Sequence, residues 1–265
     1  MGTMPSTATV SETIGAGSQT LMRGLDVIEA VAGGTASLSD LSHTLNLAKS
    51  TTHRLATALV DRGYLAFTPR AGYRLGPKLL ELGFRAQSQA DLVQVARPHI
   101  AALAASSEDT VNLGVLDGDR ALYLDKITGR RRINISSNVG DRHPLSSTGL
   151  GKALMLDHPA AFWRERFVAD QAGGAPAADP AVWTDRMKGY VAAGCAYDLE
   201  ENEDQIRCVA APVRGAGNSI VGAISVSSAA QYMGDERMAA LSEDVIRVAQ
   251  AISHDLGWVA DPAAR

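Results

Sequence analysis

The sequence predicts an α+β protein: a winged helix-turn-helix domain, a linker helix, and a larger second domain built as a sandwich on a mostly antiparallel sheet. Three observations predict it. Ser37 to Leu75 reads as two short amphipathic helices, a tight joint and a basic hairpin in unbroken succession. Residues 1–90 hold eight Lys/Arg and six Asp/Glu, against seventeen and twenty-three in 91–265, so a net +2 is joined to a net −6 within a total of −4. Beyond Thr110 the texture changes to strand patterns alternating with helices. A chain of 265 residues holds one large or two moderate domains, and the charge split favours two.

Residues 1–18 are Ser, Thr, Gly and Ala with almost no large apolar side chain, which predicts a disordered tail. The winged domain, 19–77, opens with a helix from Gln19 or Thr20 whose apolar stripe is Leu21, Leu25, Ile28 and Val31 or Ala32, closed by Gly33-Gly34. Leu38, Leu41 and Leu45 line a second helix, with Ser37 or Ser39 to cap it and Asn46 to stop it. After a joint over Asn46 to Lys49, a third helix starts with Ser50 as its cap and ends at Gly63. Its core side carries Ala48, Thr52, Leu55, Ala56 and Leu59. Tyr64 to Phe67 and Tyr73 to Leu75 are short strands around a loop rich in breakers.

The outward face of the third helix carries Ser50, Arg54, Thr57 and Asp61, with Lys49, Thr51 and His53 at its edges. That is a run of hydrogen-bonding groups at the N-terminal end, as a helix entering a DNA major groove requires. The hairpin adds Arg70 and Arg74. Between Lys49 and Lys78 there are six basic residues and one acid, a local +5 that suits phosphate contacts. The predicted DNA-contacting set is Lys49, Ser50, Thr51, His53, Arg54, Thr57, Arg70 and Arg74. A merely packed helical subdomain would need neither the polar face nor the basic wing.

A linker helix follows at 78–90, with Leu79, Leu80, Leu82 and Phe84 among polar residues, an apolar surface in want of a partner such as a second subunit. The second domain, 91–258, opens on a helical pattern over Asp91 to Ser107 interrupted at Pro98. Thr110 to Leu116 and Ala121 to Ile127 form a hairpin about Asp117-Gly118-Asp119-Arg120. Ile133 to Val139 alternates as a half-buried strand. Helices are expected at Thr148 to Met155, Pro159 to Val168 and Pro180 to Ala193, strands at Ile206 to Val213 and Ile220 to Ser227, and a closing helix from Asp235 to about Leu256.

Ser225 and Ser227, two apart on one strand, share a face; Cys208 lies on the strand paired with it, and Asp198 ends a short segment from Cys195. A face that only packed a helix would be apolar, although small Ser and Cys side chains also fill cores. Pro144 to Lys152 sets hydroxyl and Gly residues before an apolar helix, a place for a carboxylate or phosphate at free backbone amides, or simply a capped helix start. The run fails as a nucleotide loop, since Ala153 replaces the Ser/Thr that should follow Lys152. Neither Cys has a His or second Cys close by, and the acids Asp198, Glu200, Glu201, Glu203 and Asp204 lack calcium-loop spacing, so no metal or cofactor is expected. With two Cys, no targeting segment and no apolar run of about 20 residues, the expectation is a cytoplasmic, non-membrane protein that is not an enzyme.

Together these residues resemble the IclR-type transcriptional regulators, from Thr20 to about Leu256. The matching pieces are Leu47 to Leu55, Gly63-Tyr64-Leu65 and Tyr73-Arg74-Leu75-Gly76. In the second domain they are Gly140 with Pro144-Leu145, Thr148-Gly149-x-Gly151-Lys152-Ala153, Cys208 to Val213 and Ala223 to Ser227. The resemblance implies a homodimer or dimer of dimers whose winged domains bind near-palindromic double-stranded operator DNA. It also implies a GAF-like C-terminal domain that senses a small carboxylate effector from a catabolic pathway. It places the effector groups on Asp198, Cys208, Ser225 and Ser227, with amides near Gly149 and Leu150 holding an anion. A small-molecule enzyme using Cys208, or a dimerisation module without a ligand, are the alternatives.

Overall fold

The computed structural model describes residues 16–131, 135–173 and 179–260. The chain divides into two units, 1–88 and 89–265.

The first unit contains α1 (Ala16–Ala32), α2 (Leu38–Thr44), α3 (Lys49–Asp61), β1 (Leu65–Thr68), β2 (Gly72–Leu75) and α4 (Pro77–Gln89). Helix α1 starts at Ala16, three residues ahead of the expected Gln19; the rest of the predicted tail, 1–15, lies outside the described residues. Its core residues are Val27 and Val31, which pack with Leu41, Leu55, Ala56, Leu65 and Tyr73. The expected stripe was rotated too far, for Leu21 and Leu25 are exposed. Ser37 caps α2 by accepting from Asp40 N at 3.1 Å. The joint is closed by Ser42 Oγ donating to Leu47 O at 2.6 Å, with Asn46 at φ +49° turning the chain.

Ser50 does not cap α3. That helix opens on Ala48, which has no capping side chain and is exposed rather than packed, and Ser50 occupies the first turn. The wing strands pair antiparallel from Leu65↔Leu75 to Thr68↔Gly72. Gly72 is required where it stands: at φ +83°, an added Cβ would lie 2.3 Å from Ala36 O, on the backbone that binds Tyr73 N at 2.8 Å. Helix α4 has no buried residue, and Leu80 and Phe84 are exposed.

The second unit runs α5 (Leu92–Ser107), β3 (Thr110–Asp117), β4 (Arg120–Ile127), β5 (Arg142–Pro144), α6 (Gly149–Leu154), α7 (Ala160–Ala172), α8 (Pro180–Ala193), β6 (Ala196–Leu199), β7 (Ile206–Arg214), β8 (Ile220–Ala229) and α9 (Asp235–Asp255). The strands form one antiparallel sheet in the order β5-β4-β3-β8-β7-β6. Two expectations need correcting. Pro98 sits inside α5 without interrupting it. Of the predicted strand at 133–139, residues 133 and 134 lie outside the described ones and 135–138 form no ladder. Side chains hold that segment instead: Lys126 Nζ donates to Ile135 O at 2.8 Å, and Asp141 Oδ2 accepts from Asn138 N at 2.7 Å. The edge strand comes later, at β5.

Strand alternation divides the sheet into two unlike faces. Val111, Leu113, Val209, Ala211, Val213, Ile224 and Val226 point to one side and pack with Ile100, Leu103, Val245 and Ile252 of α5 and α9. The intervening residues Asn112, Cys208, Ser225 and Ser227 face the side covered by α6.

Candidate functional site

The outward face of α3 and the wing meet solvent. Lys49, Ser50, His53, Arg54, Thr57, Arg70 and Arg74 are exposed and Thr51 is half-buried, while Thr52 turns inward and donates to Ala48 O. Arg70 stands at the hairpin tip with φ +70°. Lys49, Arg54, Arg62, Arg70 and Arg74 enter no ion pair among the described residues, whereas Lys78 is paired with Glu81 at 2.9 Å. Five of the six basic residues therefore present unneutralised charge, which is what phosphate binding uses.

In the second unit, Gly149, Leu150, Asp198, Cys208, Ser225 and Ser227 line one cavity. The register explains the convergence: Cys208 pairs with Ser227 across β7 and β8, Asp198 with Cys208 across β6 and β7, and Asn112 with Ser225 across β3 and β8. Helix α6 lies directly on these strands. An added Cβ on Gly149 would meet Cys208 Cβ at 3.2 Å and Asp198 N at 3.3 Å, tighter than ordinary contact, so glycine eases this close approach. Thr148 Oγ1 caps the helix by accepting from Gly151 N at 3.0 Å. The amides of Gly149 and Leu150 have no hydrogen-bond partner among the described residues.

The cavity also gathers Asn112, Tyr123, Ser137, His143, Asn202 and Glu203, which sequence reasoning missed. Asn112 carried a legible signal, a polar residue in the middle of an apolar strand. His143 and Ser137 did not, because the strand there was misplaced. A chain of bonds joins several of them: Cys208 Sγ donates to Ser227 Oγ at 3.1 Å, Asn112 Nδ2 to Ser227 Oγ at 3.3 Å, and Ser137 Oγ to Asn112 Oδ1 at 3.2 Å. Ser225, only 1% exposed, has no such bond through its hydroxyl. The free volume is about 20 Å³, room for about one water. A metabolite of several carbons requires the wall to retreat.

Burial pushes the Asp198 carboxyl up to about 6, against the opposing pull of Lys152 and of the Glu201 amide, which donates to Asp198 Oδ1 at 2.8 Å. Burial, aided by Asp198, pushes the Cys208 thiol up, the reverse of what activates a nucleophilic cysteine. Lys152, itself 1% exposed, donates to Tyr197 O at 2.9 Å and pairs with Glu201, which Arg186 also reaches at 3.1 Å. Two more of the acids read as a cluster are separately occupied: Glu200 pairs with Arg207, and Glu203 accepts from Ser136 Oγ.

The comparisons with known proteins agree with this architecture. A model of the bacterial transcriptional regulator IclR C-terminal domain matches residues 84–254, and one of the IclR helix-turn-helix domain matches 20–69. The chain belongs to the IclR family. It is 32% identical over 232 residues to the HTH-type transcriptional regulator XynR of Escherichia coli (strain K12), covering 84% of this chain and 90% of that protein. With the DNA-binding transcriptional repressor YiaJ of the same organism it shares 31% over 255 residues, covering 92% and 89%. The fold matches Pseudomonas aeruginosa HmgR with a TM-score of 0.80 at 23% identity, over 92% of this chain and 100% of that one. For Agrobacterium tumefaciens BlcR the TM-score is 0.76 at 24% identity, over 91% and 97%. This IclR-family member is a DNA-binding transcriptional regulator with a helix-turn-helix unit and an α+β C-terminal domain. No helix among its described residues is long and apolar enough to cross a membrane.

Proposed function

We propose that this regulator binds near-palindromic operator DNA as a homodimer or dimer of dimers, and that a small carboxylate metabolite entering the second unit's cavity changes its operator affinity. On this reading Lys49, Ser50, Thr51, His53, Arg54 and Thr57 meet the major groove and Arg70 and Arg74 the flanking phosphates. The exposed Leu80, Leu82 and Phe84 of α4 suit burial against a second copy.

The observation that carries the effector reading is the set of donors without a partner around one cavity, the amides of Gly149 and Leu150, the buried His143 Nε2 and the Ser225 hydroxyl. Buried polar groups are nearly always satisfied, and a carboxylate accepts from hydroxyls and amides alike. Because the cavity is too small for such a ligand as it stands, binding selects a more open form. That difference is what a ligand needs in order to bias an equilibrium between DNA-competent and incompetent states. The elevated Cys208 thiol gives no support to an enzyme acting through it.

The test is a panel of small hydroxy, keto and sugar monocarboxylates, scored on the full chain for thermal stabilisation and for altered operator affinity. An acid that does both supports the reading. A panel in which none does either leaves a DNA-binding protein without this control.

A further inference from the structure

The cavity brings negative charge of its own and no fixed positive charge. Asp198 and Glu203 line it, while the nearby ammonium groups are committed elsewhere and are not part of the lining, Lys152 to Tyr197 O and Glu201 and Lys126 to the carbonyls of Ile135 and Ser137. Hydroxyls and amides can satisfy a carboxylate's lone pairs, but an anion buried near two carboxyl groups is costly without a cation. Among the described lining residues, His143 is the one side chain able to become a cation. Its Nε2 is buried and makes no hydrogen bond, and Asp141 Oδ2, at 3.9 Å, lies beyond bonding reach. Strand pairing with Ala121 and ring contact with Tyr123, centroids 4.8 Å apart, hold the imidazole in place.

The geometry points to His143 as the residue that sets charge selectivity: a carboxylate enters with one proton from solvent, held as an imidazolium whose Nε2–H donates to it. This rests on the carboxylate reading above and adds what that reading lacks, the charge compensation. Only an N–H bond is made, and the proton is returned on release. A second carboxylate on the ligand would meet Asp198 and Glu203 with no further cation, so monoanions are favoured over dianions.

The titratable groups around the ring are Tyr123 on β4, Asp141 in the preceding turn, Glu203 in the β6–β7 loop, and Asp198 and Cys208 across the cavity. Burial lowers the His143 pKa below its ordinary value and outweighs the opposite pull of Asp141 and Glu203, so the free protein holds the ring neutral near pH 7. An arriving carboxylate reverses that balance. Proton uptake means that affinity falls as pH rises, by up to about tenfold per pH unit for one proton.

The experiment uses the full chain with glycolate, lactate, pyruvate and gluconate as probes, measuring thermal stabilisation at pH 6.5 and 7.5. Calorimetry in two buffers of different protonation enthalpy then counts protons for any acid that binds. The expected result is uptake of about one proton in the wild type, a flat pH profile without uptake in His143→Gln, and retained uptake in Asp198→Asn. Wild-type binding without uptake overturns the assignment whatever the variants do, as does uptake that persists in His143→Gln or vanishes in Asp198→Asn. If no probe stabilises the wild type at either pH, the effector reading falls and takes this assignment with it, an outcome distinct from binding that ignores His143.

Discussion

The two units handle polar groups in opposite ways. In the first, the surplus is outside: Lys49, Arg54, Arg62, Arg70 and Arg74 stand on the surface without an ion-pair partner, over a small core centred on Leu41, Leu55 and Leu65. In the second, basic residues are largely paired, as in Arg97–Asp125, Arg120–Asp170 and Arg214–Asp157, and donors without a partner lie inside, at His143 Nε2, Ser225 and the Gly149 and Leu150 amides. Unneutralised cations on a surface suit a polyanion that arrives from solvent. Unmatched donors in a cavity suit a small ligand that is enclosed. The overall charge of −4 averages this contrast away.

The sharpest way to test the contrast is within one strand. Ile224 and Ser225 are neighbours on β8 facing opposite sides of the sheet. Ile224→Ala should cost about 2–5 kcal/mol of stability, because a fully buried side chain leaves a hole between the sheet and its helices. Ser225→Ala should cost well under about 1 kcal/mol, since its hydroxyl makes no bond that stability depends on, yet weaken a bound carboxylate by about 1–3 kcal/mol. Denaturant melts of the two variants decide it; equal losses would mean that the α6 face is ordinary core.

A second effect, of about 1–3 kcal/mol in operator affinity, is expected for Arg54→Ala. Relaxed preference at one position in each half-site would mark a base contact, and a uniform loss with a shallower salt dependence a phosphate contact. Binding titrations over a range of salt on wild-type and mutated operators separate the two. Unchanged affinity would remove Arg54 from the DNA face.

How much of this was legible in advance follows from the range of the interactions. Hydrophobic period is local, so the helix-turn-helix was readable down to the stop at Asn46, with the α2 cap narrowed to Ser37 or Ser39 and the α3 cap misplaced on Ser50. The alternation of β7 and β8 was local too, and it brought Cys208, Ser225 and Ser227 to one side. What escaped depends on partners distant in sequence. Ile135–Asn138 alternates like a strand, but Lys126 and Asp141 bind its backbone and no strand pairs with it. That error hid β5, and with it His143. Pro98 reads as a break, but α5 continues through it, buried against α9 and the sheet. The outward turn of Leu21 and Leu25 depended on which residues α3 would cover.

A further effect is expected on pH dependence. Asp198 sits at about 6 in the folded chain against an ordinary 3.8, so between those values the folded state binds more protons than the unfolded one. Stability should therefore fall as pH rises from about 4 to about 6, by about 3 kcal/mol at most, and level off above that for this group. Asp198→Asn should flatten that part of the profile in thermal melts. A slope that survives the substitution would assign it to another group.

The central claim, that polar surplus outside one unit and inside the other serves one regulatory function, is tested most directly by operator affinity. It should be measured for the full chain with and without an acid that stabilises it, in the wild type and in the Ser225→Ala, Ser227→Ala double variant. The account predicts that the acid shifts operator affinity in the wild type and that the shift is lost, or needs far more acid, in the double variant, whose acid-free operator binding is unchanged. An equal shift in both proteins at the same acid concentration would contradict it.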